Sequence, residues 1–287
     1  VSPRELTVRA ADGVALAATA WEPEREPPGG VLINSATGVM RAYYAPFAAF
    51  LASRGLLVLT YDYRGIGGSR PRSLVGHPAQ MRDWGQRDAE AALQWMLSRT
   101  PRVAVVGHSF GGQALGLMPS APRLRAALLV AAQSGYWRHW HGIHRVGLWA
   151  LWHLAIPAAC AAFGFFPGRL LGAAQDLPAG VAREWAHWGR LPRYVADDEG
   201  GALADGYARL SLPLRACSFA DDPFAPAEAV DGLLALYASA PREHVHLHPR
   251  ELGRPIGHWG FFRERNREPL WTGAAGWLEA RLADRPE

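Results

Sequence analysis

The chain has 287 residues, 49% of them apolar and 20% charged, a balance that excludes disorder and leaves room for one large α/β domain with an insertion, or two small ones. The net charge is +4, yet the basic residues form no long run, so no nucleic-acid partner is indicated. Every one of the 30 basic residues is Arg, which rules out a lysine Schiff base, a Ser–Lys dyad and a P-loop lysine.

Cys160 and Cys217 are too few for a disulfide framework or a zinc site, and neither a metal nor an organic cofactor is called for. The first residues, Val1 to Leu6, lack the apolar core of a signal peptide, so the expectation is a cytoplasmic protein.

In chain order, Leu6–Ala10 and Val14–Trp21 flank the turn Ala11-Asp12-Gly13 and read as a β-hairpin. Val31-Leu32-Ile33 is a short buried strand, followed by the small-residue loop Asn34-Ser35-Ala36-Thr37-Gly38 and a helix from about Arg41 to Ser53. Gly55 closes that helix, and Leu56–Tyr61 is the next strand. A Gly-rich turn, Asp62–Ser69, leads towards a helix over about Met81–Ser98. The apolar run that begins at Val103 ends in Gly107-His108-Ser109-Phe110-Gly111, followed by a helix to about Met118 and a strand at Ala126–Ala131. Alternating strands and helices predict a parallel sheet covered on both faces.

Between about Gln133 and Leu210 that alternation stops, and six of the twelve Trp lie there. Val146–Phe166 is nearly uncharged and long enough to cross a membrane, but Gly147, His153, Pro157 and Gly164 interrupt it. No stable membrane span is expected. An apolar cap is, and peripheral contact with lipid stays open. Periodicity returns with a strand at Leu214–Ala220, a helix over about Pro226–Ala238, a strand at Glu243–Leu247 and a last helix over about Arg263–Leu282. The division is therefore core 1–132, cap 133–210 and core 211–287.

Gly-x-Ser-x-Gly between a strand and a helix is the pattern of a nucleophile elbow, which makes Ser109 the candidate nucleophile. A Gly-rich phosphate-binding turn is the alternative. A serine needs a base, and the base a carboxylate to orient it. Asp222 at the end of a strand is the candidate acid, with its neighbour Asp221 the alternative, and His258 in the loop Gly257-His258-Trp259-Gly260 is the candidate base. His244, His246 and His248 alternate on one strand and read as a solvated face rather than a metal site. The oxyanion donors are expected to be the backbone N–H groups of Phe110 and Ala36, and His108 is expected to be structural. Trp137, Trp140, Trp149, Trp152 and Trp259 are the candidate substrate contacts, for a small-molecule ester with a medium-sized hydrophobic acyl or alcohol group. A peptidase would want acidic residues in the cap, for which Asp197, Asp198 and Glu199 are candidates. The oligomeric state is not legible.

With these residues in place, the chain resembles the α/β-hydrolase superfamily over nearly its whole length. Asp62–Ser69 is similar to that family's Asp-x-Arg-Gly-x-Gly-x-Ser turn, and Gly257–Phe262 to the histidine loop of a bacterial branch near the serine aminopeptidases and monoacylglycerol lipases. The resemblance implies a central, mostly parallel eight-stranded sheet with a helical cap inserted after strand six. It implies a serine hydrolase, with carboxylic esters first and thioesters, amides, acyl transfer or a non-catalytic binding role as alternatives. Asn34-Ser35 departs from the His-Gly that many relatives carry in the oxyanion loop.

Overall fold

Gly13 turns the chain with φ 84°, and the segments on either side pair as an antiparallel hairpin, β1 (Pro3–Arg9) and β2 (Ala15–Trp21). This is a computed structural model that describes residues 2–171 and 174–283; the outer ends of the domain division, residue 1 and residues 284–287, lie outside the described residues. Four short strands follow, with every residue buried: β3 (Gly30–Asn34), β4 (Leu57–Tyr61), β5 (Val103–His108) and β6 (Ala126–Val130). They are the Val/Leu/Ala runs of the sequence, apolar on both faces because helices cover both. Two later strands, β7 (Leu214–Phe219) and β8 (Arg242–Leu247), complete one sheet of order β1-β2-β4-β3-β5-β6-β7-β8. Within this sheet β2 runs antiparallel to both of its neighbours and the remaining pairs are parallel.

From β3 the chain crosses to β4 on one side and later returns to place β5 on the other. That reversal opens a crevice beyond the carboxyl ends of β3 and β5, where open α/β sheets bind ligands. Register makes the two ends level, since Asn34 pairs with Gly107.

Three expected helices are shorter or less regular than their sequence periodicity. After β5 the α-helix covers only Phe110–Gln113 and tightens to a 3₁₀ turn over Ala114–Leu117, where Gly116 lies flat against the Tyr207 ring. The helix over Met81–Leu97 contains a π turn at Trp84–Ala89, and a Cβ on Gly85 would stand 2.5 Å from Leu117. The last α-helix starts at Thr272 rather than near residue 263, because Pro269 lacks the N–H a regular helix would use there.

Between β6 and β7 lies a mainly helical insertion. Its longest element is continuous from Gly142 to Phe163, with a π turn at Leu151–Ala155 just ahead of Pro157, whose ring would clash with the carbonyl four residues back. By length and composition this helix could cross a membrane, with mean hydropathy 1.6. One side of it is committed to the protein: Trp152, Ile156 and Cys160 join the same contiguous core as the sheet, as do Trp188, Tyr194 and Tyr207 further along the insertion.

Candidate active site

The turn after β5 holds Ser109 at φ 52° and ψ −117°, a conformation that costs a non-glycine residue free energy and needs its surroundings to hold it. The flanking glycines are what the surroundings demand. A Cβ on Gly107 would lie 2.5 Å from the backbone nitrogen of Gly112, and one on Gly111 only 2.1 Å from the carbonyl oxygen of Asn34. Any larger residue would push the nucleophile turn off the end of β3. Asn34 fastens the same junction, donating from Nδ2 to the Gly111 carbonyl (3.3 Å) and accepting from the Tyr61 hydroxyl (2.8 Å).

At the end of β7 the two aspartates divide their work. Asp222 Oδ2 lies 2.7 Å from His258 Nδ1, and both side chains are buried. Its other oxygen accepts the N–H groups of Phe224 and Ala225, which fixes the carboxylate plane. Asp221 faces the other way and accepts the N–H groups of Ile256 and Gly257 at 2.8 and 3.0 Å, clamping the loop that carries His258. With Nδ1 engaged by Asp222, Nε2 is the histidine nitrogen available to a serine. Ser109 and His258 line one cavity of about 510 Å³.

His108 is fully buried behind the nucleophile and joins two loops. Its Nε2 lies 2.9 Å from the carbonyl oxygen of His258, an acceptor, so Nε2 carries the hydrogen and Nδ1 accepts from the Tyr44 hydroxyl at 2.9 Å. Tyr44 in turn accepts the Ala36 N–H at 2.8 Å. Burial holds the His108 imidazole well below the usual histidine range, with the neighbouring His258 acting in the same direction. A neutral ring therefore links the loop after β3 to the loop of His258.

That linkage corrects one expectation. Ala36 lines the cavity, but its N–H is already given to Tyr44 and is no open oxyanion donor. Phe110 stands at the first position of its helix, where the N–H has no intrahelical partner. Thr37 lines the same cavity and buries a hydroxyl that has no hydrogen-bond partner among the described residues, a residue that sequence spacing alone did not single out.

Of the five candidate tryptophans, Trp140, Trp152 and Trp259 line the cavity. Trp137 and Trp149 do not: Trp137 lies under the Arg138 guanidinium, and Trp149 stacks on His153 at the outer surface of the insertion. Trp185 takes their place, with Leu148, Leu151, Phe166 and Phe224 among the apolar walls. Their contribution was hidden because helical periodicity does not say which side of a helix faces a cavity. The acidic trio stays outside the cavity lining. Asp197 binds Arg193, whereas Asp198 and Glu199 both bind Arg82. His244 and His246 share the Ser218 hydroxyl, and His244 also meets Asp231, so these rings are partnered within their own edge of the sheet.

Residues 31–281 match the model of the alpha/beta hydrolase family. No curated protein matches the sequence. Among solved structures, the chain is similar to an esterase of Pyrococcus furiosus (TM-score 0.62, 14% identity, covering 98% of this chain and 91% of that one). It is also similar to an esterase of Exiguobacterium antarcticum (TM-score 0.61, 16% identity, 96% and 100%) and to a thermostable carboxyl esterase of Bacillus coagulans (TM-score 0.63, 12% identity, 98% and 99%). At such identities the likeness carries the fold alone, whereas the family match spans most of the sequence. On that match, the chain belongs to the alpha/beta hydrolase family.

Proposed function

We propose that the protein is a serine hydrolase of carboxylic esters with a hydrophobic acyl or alcohol group. The observation that carries this reading is the meeting, in one apolar cavity, of a serine on a strained turn and a histidine whose far nitrogen is held by a buried carboxylate.

In the proposed reaction, Ser109 Oγ bonds to the ester carbonyl carbon as its proton passes to His258 Nε2, and Asp222 keeps the resulting imidazolium oriented. The oxyanion is held by the Phe110 N–H and by Thr37, whose unpartnered hydroxyl takes the place first given to Ala36. Collapse breaks the bond to the alcohol oxygen, which leaves with the proton from His258. Water, deprotonated by His258, then adds to the acyl-enzyme, and the acid departs as Ser109 recovers its proton. No cofactor enters any step. The insertion at 133–210 acts as the cap, its tryptophans and leucines supplying the apolar wall.

A series of p-nitrophenyl esters from acetate to laurate tests this, run beside acyl-CoA thioesters and aminoacyl anilides. The expected outcome is turnover of the esters, peaking at an intermediate chain length and lost in Ser109→Ala. Preference for the thioesters or anilides would overturn the ester assignment, and an equal rate at all chain lengths would overturn the apolar cap.

A further inference from the structure

The helix Gly142–Phe163 has two faces with different fates. Trp152, Ile156 and Cys160 are buried in the core, but only 17% of its most apolar window is buried overall. Outward stand Val146 (59% exposed), Trp149, Leu154 (56%), Ala158, Ala161 and Phe163 (52%). Val75 is 62% exposed and continues this surface, because it packs against the position a Cβ would take on Gly164. Large apolar side chains left in water on one contiguous element mark an interaction surface. The mouth of the cavity opens in the same region: Ile143 and Phe224 are both exposed and both line the cavity.

Charge identifies the occupant. Between residues 134 and 175 the sequence has no Asp or Glu, while Arg138, Arg145 and Arg169 and the histidines 139, 141, 144 and 153 all fall there. Two carboxylates reach this edge, Glu228 at 4.0 Å from His141 and Asp176, which pairs with Arg169 and Arg70; among the described residues Arg138 and Arg145 pair with no carboxylate. A second copy docking by the same face would bring these arginines against their own equivalents. A span across the bilayer would strip Trp152, Ile156 and Cys160 from the core. An anionic lipid surface accepts both the apolar ridge and its basic surround.

We propose that the outer face of this helix docks the protein on anionic phospholipid bilayers, with the cavity mouth against the membrane, so that the hydrolysed ester is one that partitions into lipid. Docking stands on the surface itself; the identity of the ester rests on the hydrolase reading above.

The test is co-sedimentation with vesicles of phosphatidylcholine alone and of phosphatidylcholine with phosphatidylglycerol, using Ser109→Ala protein so that binding is read without turnover. Binding to the anionic vesicles is expected, with a blue shift of tryptophan emission and about a tenfold weaker partition in high salt. Val146→Asp/Leu154→Asp, which changes two outward positions that do not line the cavity, should lower partition by about tenfold or more. In the Ser109 background that double variant should still hydrolyse p-nitrophenyl acetate at the parent rate. Three results would overturn the proposal: no binding to either vesicle, undiminished binding by the double variant, or a sedimentation-velocity dimer that the double variant abolishes. Vesicle binding without ester turnover would instead refute the hydrolase reading and leave docking intact.

Discussion

Tyr44→Phe removes one oxygen and tests how much the site depends on its buried frame. Tyr44 and His108 are both fully buried, and the hydroxyl accepts from the Ala36 N–H while donating to His108 Nδ1. Phenylalanine fills the same volume, so packing is preserved and two polar groups lose their partner at once. The His108 ring cannot escape by changing tautomer, because its Nε2–H is committed to the His258 carbonyl. Each buried group left unpaired costs about 1–3 kcal/mol, so the expected loss for the two is about 2–6 kcal/mol. Urea unfolding should show a lower midpoint with an unchanged slope. Turnover should fall with little change in KM, because both the loop after β3 and the loop of His258 are released, whereas the apolar walls are not. Combined with His108→Gln, the losses should be non-additive by about 1 kcal/mol or more. A midpoint shift worth less than about 0.5 kcal/mol, or strict additivity with His108→Gln, would refute the linkage.

The other predictions separate neighbours that sequence alone leaves ambiguous. Asp222→Asn should lower kcat by about four orders of magnitude, through loss of the carboxylate that holds His258. Asp221→Asn should act mainly through a loosened histidine loop, seen as a lower melting temperature with a far smaller kinetic effect; equal kinetic losses would contradict that division. Thr37→Val should reduce kcat by about 100-fold and Thr37→Ser much less, read in steady-state ester kinetics, whereas identical rates would remove Thr37 from the oxyanion site. His108 gives a pH signature. Its folded-state pKa is depressed, so below the ordinary histidine value near 6.5 the unfolded chain binds a proton that the folded one refuses. Stability should therefore fall as pH drops through that value, by up to about 1.4 kcal/mol per pH unit from this group, and level off above it. His108→Gln should remove that part of the slope in urea midpoints measured across the range; an unchanged slope would show that His108 does not cause it.

How much could be read from the sequence differs between the frame and the site. The buried strands β3 to β6 are nearly continuous Val, Leu and Ala, and such runs bounded by glycine and polar turns have few alternatives. Ser109, Asp222 and His258 could be named as candidates because each stands in a turn containing Gly or Pro, the first two just beyond a strand and the third in the loop Gly257–Gly260. The helices were over-read where glycine or proline breaks regularity, at Gly85, Gly116 and Pro269. The oxyanion donor was misplaced for a different reason: the partner of the Ala36 N–H is Tyr44, eight residues on, and no periodicity signals that hydrogen bond. The tryptophan count correctly drew attention to the insertion, yet whether a ring faces the cavity depends on the helix's rotation against the core. Trp152 and Trp149 are three residues apart on one helix and so close in rotation around it, yet Trp152 is buried against the cavity and Trp149 is exposed beyond it.

The most direct test of the central claim is covalent trapping. Native protein treated with a fluorophosphonate, digested and mapped by mass spectrometry, should carry one phosphonyl group on Ser109. Labelling should be lost in Ser109→Ala and much slower in His258→Ala. Folded wild-type protein that stays unlabelled, or label that persists in Ser109→Ala, would contradict the assignment of Ser109 as the nucleophile.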